Sequence, residues 1–235
     1  MILFKGEVEL ITVGCDIVVS IPQESVDEDC DILPAMPKRI GLFGGTFDPP
    51  HIGHLVLAAE AVSQFQLDKL LWVLTPDPPH KLGKPITPLI YRLPMLQSMI
   101  VHDPAFELSR IEIDRPGPHY TIDTIRLLAS QNVDAEIYLL IGGDSLWDLP
   151  NWRLSADLVA EVSKIGVMRR PGDFTDLAPL EATLPGVTKK IHFIEALLQP
   201  ISSQEIRQRV AAGEMYRYYL APEVYEYIET NHLYR

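Results

Sequence analysis

Apolar positions along this chain fall into short runs, broken by polar, Gly and Pro residues, that alternate between strand-like and helix-like. Arg39–Phe43 reads as a short buried strand ending in Gly44-Gly45. His54–Phe65 reads as a helix, with Ala58, Ala59 and Ala61 as strong helix formers. Lys69–Leu74 is a second apolar strand. The two strands begin about thirty residues apart, the length of one βαβ unit, so a parallel pair with a right-handed crossover is expected. Phe106–Ile113 predicts a strand, Thr121–Ser130 a helix, and Glu136–Ile141 a buried strand ending in Gly142-Gly143. Lys164–Met168 and Ile191–Ile194 predict further strands, and Ser203–Ala212 and Pro222–Thr230 closing helices. This alternation predicts an α/β fold, an open and mainly parallel sheet covered on both faces. Ligands bind such sheets beyond the carboxyl ends of the strands, where strand order reverses. Two Pro-rich stretches, Pro76–Pro88 and Pro171–Pro185, read as loops long enough to be functional.

Residues 1–37 differ from the rest. Glu7–Ile21 is rich in Val and Ile, Gln23–Asp31 is acidic, and Pro34 and Pro37 close the segment. We read 1–37 as an acidic N-terminal appendage of unassigned role and 38–235 as the functional domain. The alternative is that the natural chain starts at Met36.

Composition narrows the classes. The chain has 235 residues, 47% hydrophobic and 22% charged, enough for one cored domain rather than a disordered or fibrous chain. A formal net charge of −12 disfavours a broad nucleic-acid surface but leaves room for a locally basic pocket for a small phosphate-bearing ligand. No apolar run reaches about eighteen residues, so no membrane partner is expected. The N-terminus lacks the pattern of a signal peptide, and Cys15 and Cys30 both precede Met36, so no disulfide framework is indicated. A cytoplasmic location is the expectation.

The segment from Gly44 to His54, Gly-Gly-Thr-Phe-Asp-Pro-Pro-His-Ile-Gly-His, joins the first strand to the first helix. Gly44 and Gly45 permit a sharp turn and close ligand approach. The helix start offers free N–H groups and a positive dipole end to an anion. His51 and His54, three residues apart, fall on one side of that start and can donate to a polyphosphate. A metal site is the competing reading, but the Glu of a His-Glu-x-x-His motif is missing and no third ligand stands nearby.

This string resembles the signature of the nucleotidyltransferases with a histidine pair. The resemblance implies a Rossmann-like fold with C-terminal helices closing the site. It also implies that His51 and His54 contact ATP phosphates and stabilise the transition state, with Gly44, Gly45, Thr46 and Phe47 in the ATP-binding turn and Asp48 mostly structural. Ile201-Ser202-Ser203-Gln204-Glu205-Ile206-Arg207 carries a capping-box pattern at Ser202 and Glu205. It also resembles the family's second motif, which implies ATP-phosphate binding by Ser202, Ser203 and Arg207. Gln204 departs from the family's Thr.

Further strings resemble the bacterial nicotinate mononucleotide adenylyltransferases within that superfamily. Pro78-Pro79-His80-Lys81 places a Lys that can reach a phosphate. In His119-Tyr120-Thr121-Ile122-Asp123-Thr124, Thr121 or Asp123 reads as an N-cap. The family likeness implies that Tyr120 and Thr121 hold the nicotinate ring and its carboxylate. Ile141-Gly142-Gly143-Asp144 implies nucleotide binding by Asp144, Asn151-Trp152-Arg153 stacking of Trp152 on the pyridine, and Arg169-Arg170 an ATP contact from Arg169 or its neighbour Arg170. The resemblance covers about residues 38–235, including the terminal Leu233-Tyr234-Arg235. It implies direct adenylyl transfer from ATP to nicotinate mononucleotide, with Mg²⁺ bound through the ATP phosphates and no dedicated metal cage. Homo-oligomerisation is left open. Other acceptors, a non-catalytic ATP-binding protein and a dinucleotide-dependent oxidoreductase are the rivals. The last lacks any Gly-x-Gly-x-x-Gly after the first strand.

Overall fold

A computed structural model describes residues 38–78, 85–168, 176–197 and 201–235. Strands β1 (Arg39–Gly45), β2 (Lys69–Leu74), β3 (Phe106–Ser109), β4 (Glu136–Gly142), β5 (Lys164–Met168) and β6 (Ile191–Ile194) form one sheet in the order β3-β2-β1-β4-β5-β6. Every neighbouring pair is parallel. The helices are α1 (Ile52–Phe65), α2 (Leu89–Ile100), α3 (Thr121–Gln131), α4 (Gly143–Asp148), α5 (Ser155–Glu161), α6 (Ala178–Thr183), α7 (Ser203–Ala212) and α8 (Pro222–Thr230).

The strands are apolar in unbroken runs because both faces are covered. Successive residues alternate between two cores: Leu70, Trp72 and Leu74 of β2 join Tyr138 and Leu140 of β4 in one, Leu71 and Val73 join Ile137, Leu139 and Ile141 in the other. The first core is closed by α1, α2, α7 and α8, through Leu57, Met95, Ile206 and Val224. The second is closed by α3 to α6, through Ile125, Leu146, Leu158 and Leu180. Gly166 is needed for this packing, since a Cβ there would stand 2.6 Å from the Phe65 ring and 2.7 Å from Leu140.

The chain lays down β1, β2 and β3 on one side of β1, then returns to place β4, β5 and β6 on the other. The reversal lies between β1 and β4, whose carboxyl ends carry Gly44-Gly45 and Gly142.

Several expectations need correction. The third strand stops at Ser109 rather than Ile113, because the chain turns at Arg110, whose carbonyl accepts from the Asp114 N–H at 2.9 Å. That turn buries Glu112. Neither Thr121 nor Asp123 caps α3; Tyr120 is the N-cap residue, with extended backbone and no side-chain cap bond. The stretch Pro171–Pro185 is not all loop, since it contains α6. Helix α2 was not anticipated: Pro94 lies inside it, and one position of its buried face, Arg92-Met95-Leu96-Met99-Ile100, is charged. Among the described residues, no helix is long and apolar enough to cross a membrane.

Candidate active site

The loop after β1 folds back on itself. Phe47 adopts a left-handed backbone (φ 45°) and is buried, its ring packed edge-on to Phe43 at 5.4 Å and to His54 at 5.1 Å. A Cβ on Gly45 would meet that ring at 2.9 Å, which accounts for glycine there. Any ligand contact by Phe47 must therefore come from its backbone.

His51 is the N-cap residue of α1 and His54 its third residue. The rings stack with centroids 3.6 Å apart and planes 26° apart. The His51 backbone N–H donates to His54 Nδ1 at 3.1 Å. A neutral His54 therefore carries its proton on Nε2, which becomes a donor. Gly53 leaves room for the His51 ring, whose Nδ1 would lie 3.1 Å from a Cβ there. Burial lowers the His51 pKa to about 4, so this imidazole is neutral at physiological pH. Its Nδ1 is buried without a hydrogen-bond partner.

The second motif, far along the chain, docks onto this loop. Ser203 Oγ donates to the Pro49 carbonyl at 2.8 Å, and Arg207 Nη1 donates to the Asp48 carbonyl at 2.6 Å. Ser202 Oγ accepts the Glu205 N–H at 3.1 Å and so serves as the N-cap of α7. Gln204 is exposed.

Two further clamps were not legible as site features. Buried Arg92 donates to four backbone carbonyls: Thr46 (3.0 Å), Thr75 (2.9 Å), Pro76 (2.7 Å) and Thr87 (2.6 Å). Asp48 accepts from the Thr87 N–H at 3.0 Å and from the Tyr234 hydroxyl at 2.7 Å, tying the C-terminus to the loop. Burial, then the Asp48 charge, pushes the Tyr234 pKa up, so the hydroxyl stays a donor. The only sequence hint of Arg92 was a lone charge on an apolar helical face.

Next to the loop lies a cavity of about 370 Å³ at the carboxyl ends of β1, β2 and β4, sharing Gly44, Gly45 and Thr46 with it. Tyr120, Thr121 and Trp152 line it, together with Glu112, His119 and Arg153. A Cβ on Gly44 or Gly142 would meet no atom within 4 Å, so these glycines are not demanded by packing; they leave open space on both sides of the strand-order reversal. The Trp152 indole donates to Asp148 Oδ2 at 3.2 Å. Glu112 Oε1 accepts the Thr124 hydroxyl at 2.6 Å. His51, His54, Ser203 and Arg207 are not part of the cavity wall. Asp144 is exposed in the first turn of α4 and does not line the cavity either. Lys81 and Arg169 lie outside the described residues. Among the described residues, no group of three or more His, Cys, Asp or Glu is placed to hold a metal ion.

A histidine pair at the start of α1 thus meets Ser203 and Arg207 of α7, through the loop before it, beside a crevice at the strand-order reversal. Residues 42–209 match the cytidylyltransferase-like family, and the chain belongs to that family. Within it, curated relatives carry the name probable nicotinate-nucleotide adenylyltransferase. The one from Thermomicrobium roseum is 42% identical over 198 residues, 84% of this chain and 92% of that protein. The one from Thermus thermophilus is 39% identical over 198 residues, 84% of this chain and 100% of that protein. A Plasmodium falciparum nicotinic acid mononucleotide adenylyltransferase, solved in complex with NaAD, has the same fold, with a TM-score of 0.71 at 20% identity over 84% of this chain and 97% of that one.

Proposed function

We propose that this protein transfers the adenylyl group of ATP to nicotinate mononucleotide, giving nicotinate adenine dinucleotide and pyrophosphate, in NAD biosynthesis. The observation that carries this reading is the meeting of its two motifs: Ser203 and Arg207 bond to the Pro49 and Asp48 carbonyls of the loop that presents the stacked His51–His54 pair. The relatives' shared name supplies the acceptor. We place the activity in residues 38–235 and in the cytoplasm.

In this reading a phosphate oxygen of the acceptor attacks the α-phosphorus of ATP. The bond to the bridging oxygen breaks and pyrophosphate leaves with the electron pair. The acceptor phosphate is already ionised, so no strong base is needed, and catalysis rests on positioning and charge stabilisation. His54 offers its Nε2 proton to a phosphate oxygen, and the buried neutral His51 adds a hydrogen bond without the cost of a buried charge. Arg207 keeps donors beyond the one spent on Asp48, and its charge offsets that building on pyrophosphate. The ATP subsite takes Gly44, Gly45, Thr46, the Phe47 backbone, Asp144, Arg169, Ser202 and Ser203; the acceptor subsite takes Lys81, Tyr120, Thr121 and Trp152. Mg²⁺ would be bound through the ATP phosphates, whose charge it would offset.

Pyrophosphate release from ATP and Mg²⁺, with product identified by mass, tests the reading. Turnover with nicotinate mononucleotide to the deamido-dinucleotide is expected. No turnover with this acceptor or its amide would overturn it.

A further inference from the structure

Nicotinate mononucleotide and its amide analogue share a ribose, a phosphate and a pyridinium ring. They differ only in a carboxylate against a carboxamide, so discrimination requires a feature of the ring end of the cavity that senses charge. The start of α3 supplies only part of it: its dipole end carries a partial charge, and its N–H groups serve an amide oxygen as well as a carboxylate.

The cavity wall itself is poor in positive charge. Two acids, Glu112 and Asp148, line it, and Arg153 is the one Lys or Arg among the described lining residues. Asp148 is spent on its neighbours, accepting from the Trp152 indole at 3.2 Å and from Asn151 Nδ2 at 3.0 Å. The Arg153 guanidinium carbon lies 4.9 Å from the centroid of the Tyr120 ring, and none of the ion pairs among the described residues includes Arg153. Tyr120 thus holds a cation at the cavity wall whose charge is not matched by a carboxylate. The turn presenting it is locally strained: Leu154 is left-handed (φ 50°) and caps α5 through its carbonyl, which accepts the Leu158 N–H at 2.9 Å. That geometry fixes the backbone between Trp152 and α5.

Resting on the proposed function, we infer that Arg153 is a specificity-determining residue, the counter-charge that selects a nicotinate over a nicotinamide ring. A cation here lowers the energy of the acid form and leaves the neutral amide almost untouched. Removing it leaves an anionic substituent facing a wall that carries two acids.

The test compares kcat/KM for nicotinate mononucleotide and nicotinamide mononucleotide in the wild-type enzyme, R153Q and R153K, over a range of salt. The acid-to-amide ratio is expected to fall about tenfold in R153Q, through KM for the acid, with kcat and the KM for ATP unchanged. R153K should retain most of the preference, and the wild-type ratio should decline as salt rises. Equal losses with both acceptors would overturn the inference, since Arg153 would then serve the shared phosphate or ribose. So would an unchanged ratio. If the wild-type protein used neither acceptor, the functional reading itself would fall and this inference with it.

Discussion

The two halves of the proposed site, one assigned to phosphates and one to the acceptor, are built differently. The phosphate half, from Gly44 to His54, is held almost entirely through backbone carbonyls: Arg92 takes Thr46, Ser203 takes Pro49 and Arg207 takes Asp48. The Asp48 side chain is fixed by Thr87 and Tyr234. The acceptor half is a cavity bounded by side chains, where Glu112 Oε2 and His119 Nδ1 remain buried without hydrogen-bond partners. Every nucleotide offers the same phosphates, so the first half can be set rigidly in advance. Acceptors differ in their rings, and that half is left to side chains that can change without disturbing the loop. Substitutions in the phosphate half should therefore cost turnover and stability together, and those in the acceptor half affinity and selectivity.

The largest effect should come from His54→Ala, with kcat falling roughly 10²–10³-fold, the loss typical of one preorganised donor. The variant should stay folded but lose about 1 kcal/mol, since the His51 N–H loses its acceptor; normal turnover in a folded variant would break the comparison. Next is Arg92→Leu, which strips the donor from four carbonyls and should cost about 3 kcal/mol in denaturant unfolding.

Acid should act through His51. Its folded pKa, about 4, lies below the usual value of 6.5, so between these the unfolded chain binds more protons. The stability linked to a neutral His51 is thus complete above about pH 6.5 and is lost as pH falls toward 4, by about 3 kcal/mol. His51→Asn should flatten the pH dependence of unfolding in that window. In the acceptor half, Trp152→Ala should raise KM for nicotinate mononucleotide about tenfold with little change in kcat, as loss of a stacking face requires. The smallest effect is that of Tyr234→Phe, about 1.5 kcal/mol for one hydrogen bond to a carboxylate, with a raised KM for ATP.

Legibility in the sequence followed the same division. Strands such as Lys69–Leu74 and Lys164–Met168 fell at the expected residues, because burial on both faces forces continuous apolar runs with sharp ends. Helix α7 was legible through the capping-box pattern of Ser202 and Glu205, and Ser202 is its N-cap. The third strand was read too long because Ile111 and Ile113 continue the alternation after the chain has turned away from β2. Helix α2 was hidden by Pro94 and by the charge of Arg92. Local strings picked out His51, His54, Ser203 and Arg207, which the structure gathers around one loop, and Tyr120 and Trp152, which line the cavity. Arg92, Glu112 and the Tyr234–Asp48 bond were not legible, because their roles exist only once distant segments meet.

The central claim is that the His51–His54 loop and the α7 start act together on the α-phosphorus of ATP. ATP labelled at that phosphorus, incubated with Mg²⁺ and nicotinate mononucleotide, tests it most directly. The account predicts that the wild-type enzyme moves the label into the dinucleotide and releases unlabelled pyrophosphate, and that His54→Ala and Arg207→Ala lose most of this transfer while remaining folded. Label appearing in free AMP or on the protein, or full transfer by folded variants, would contradict it.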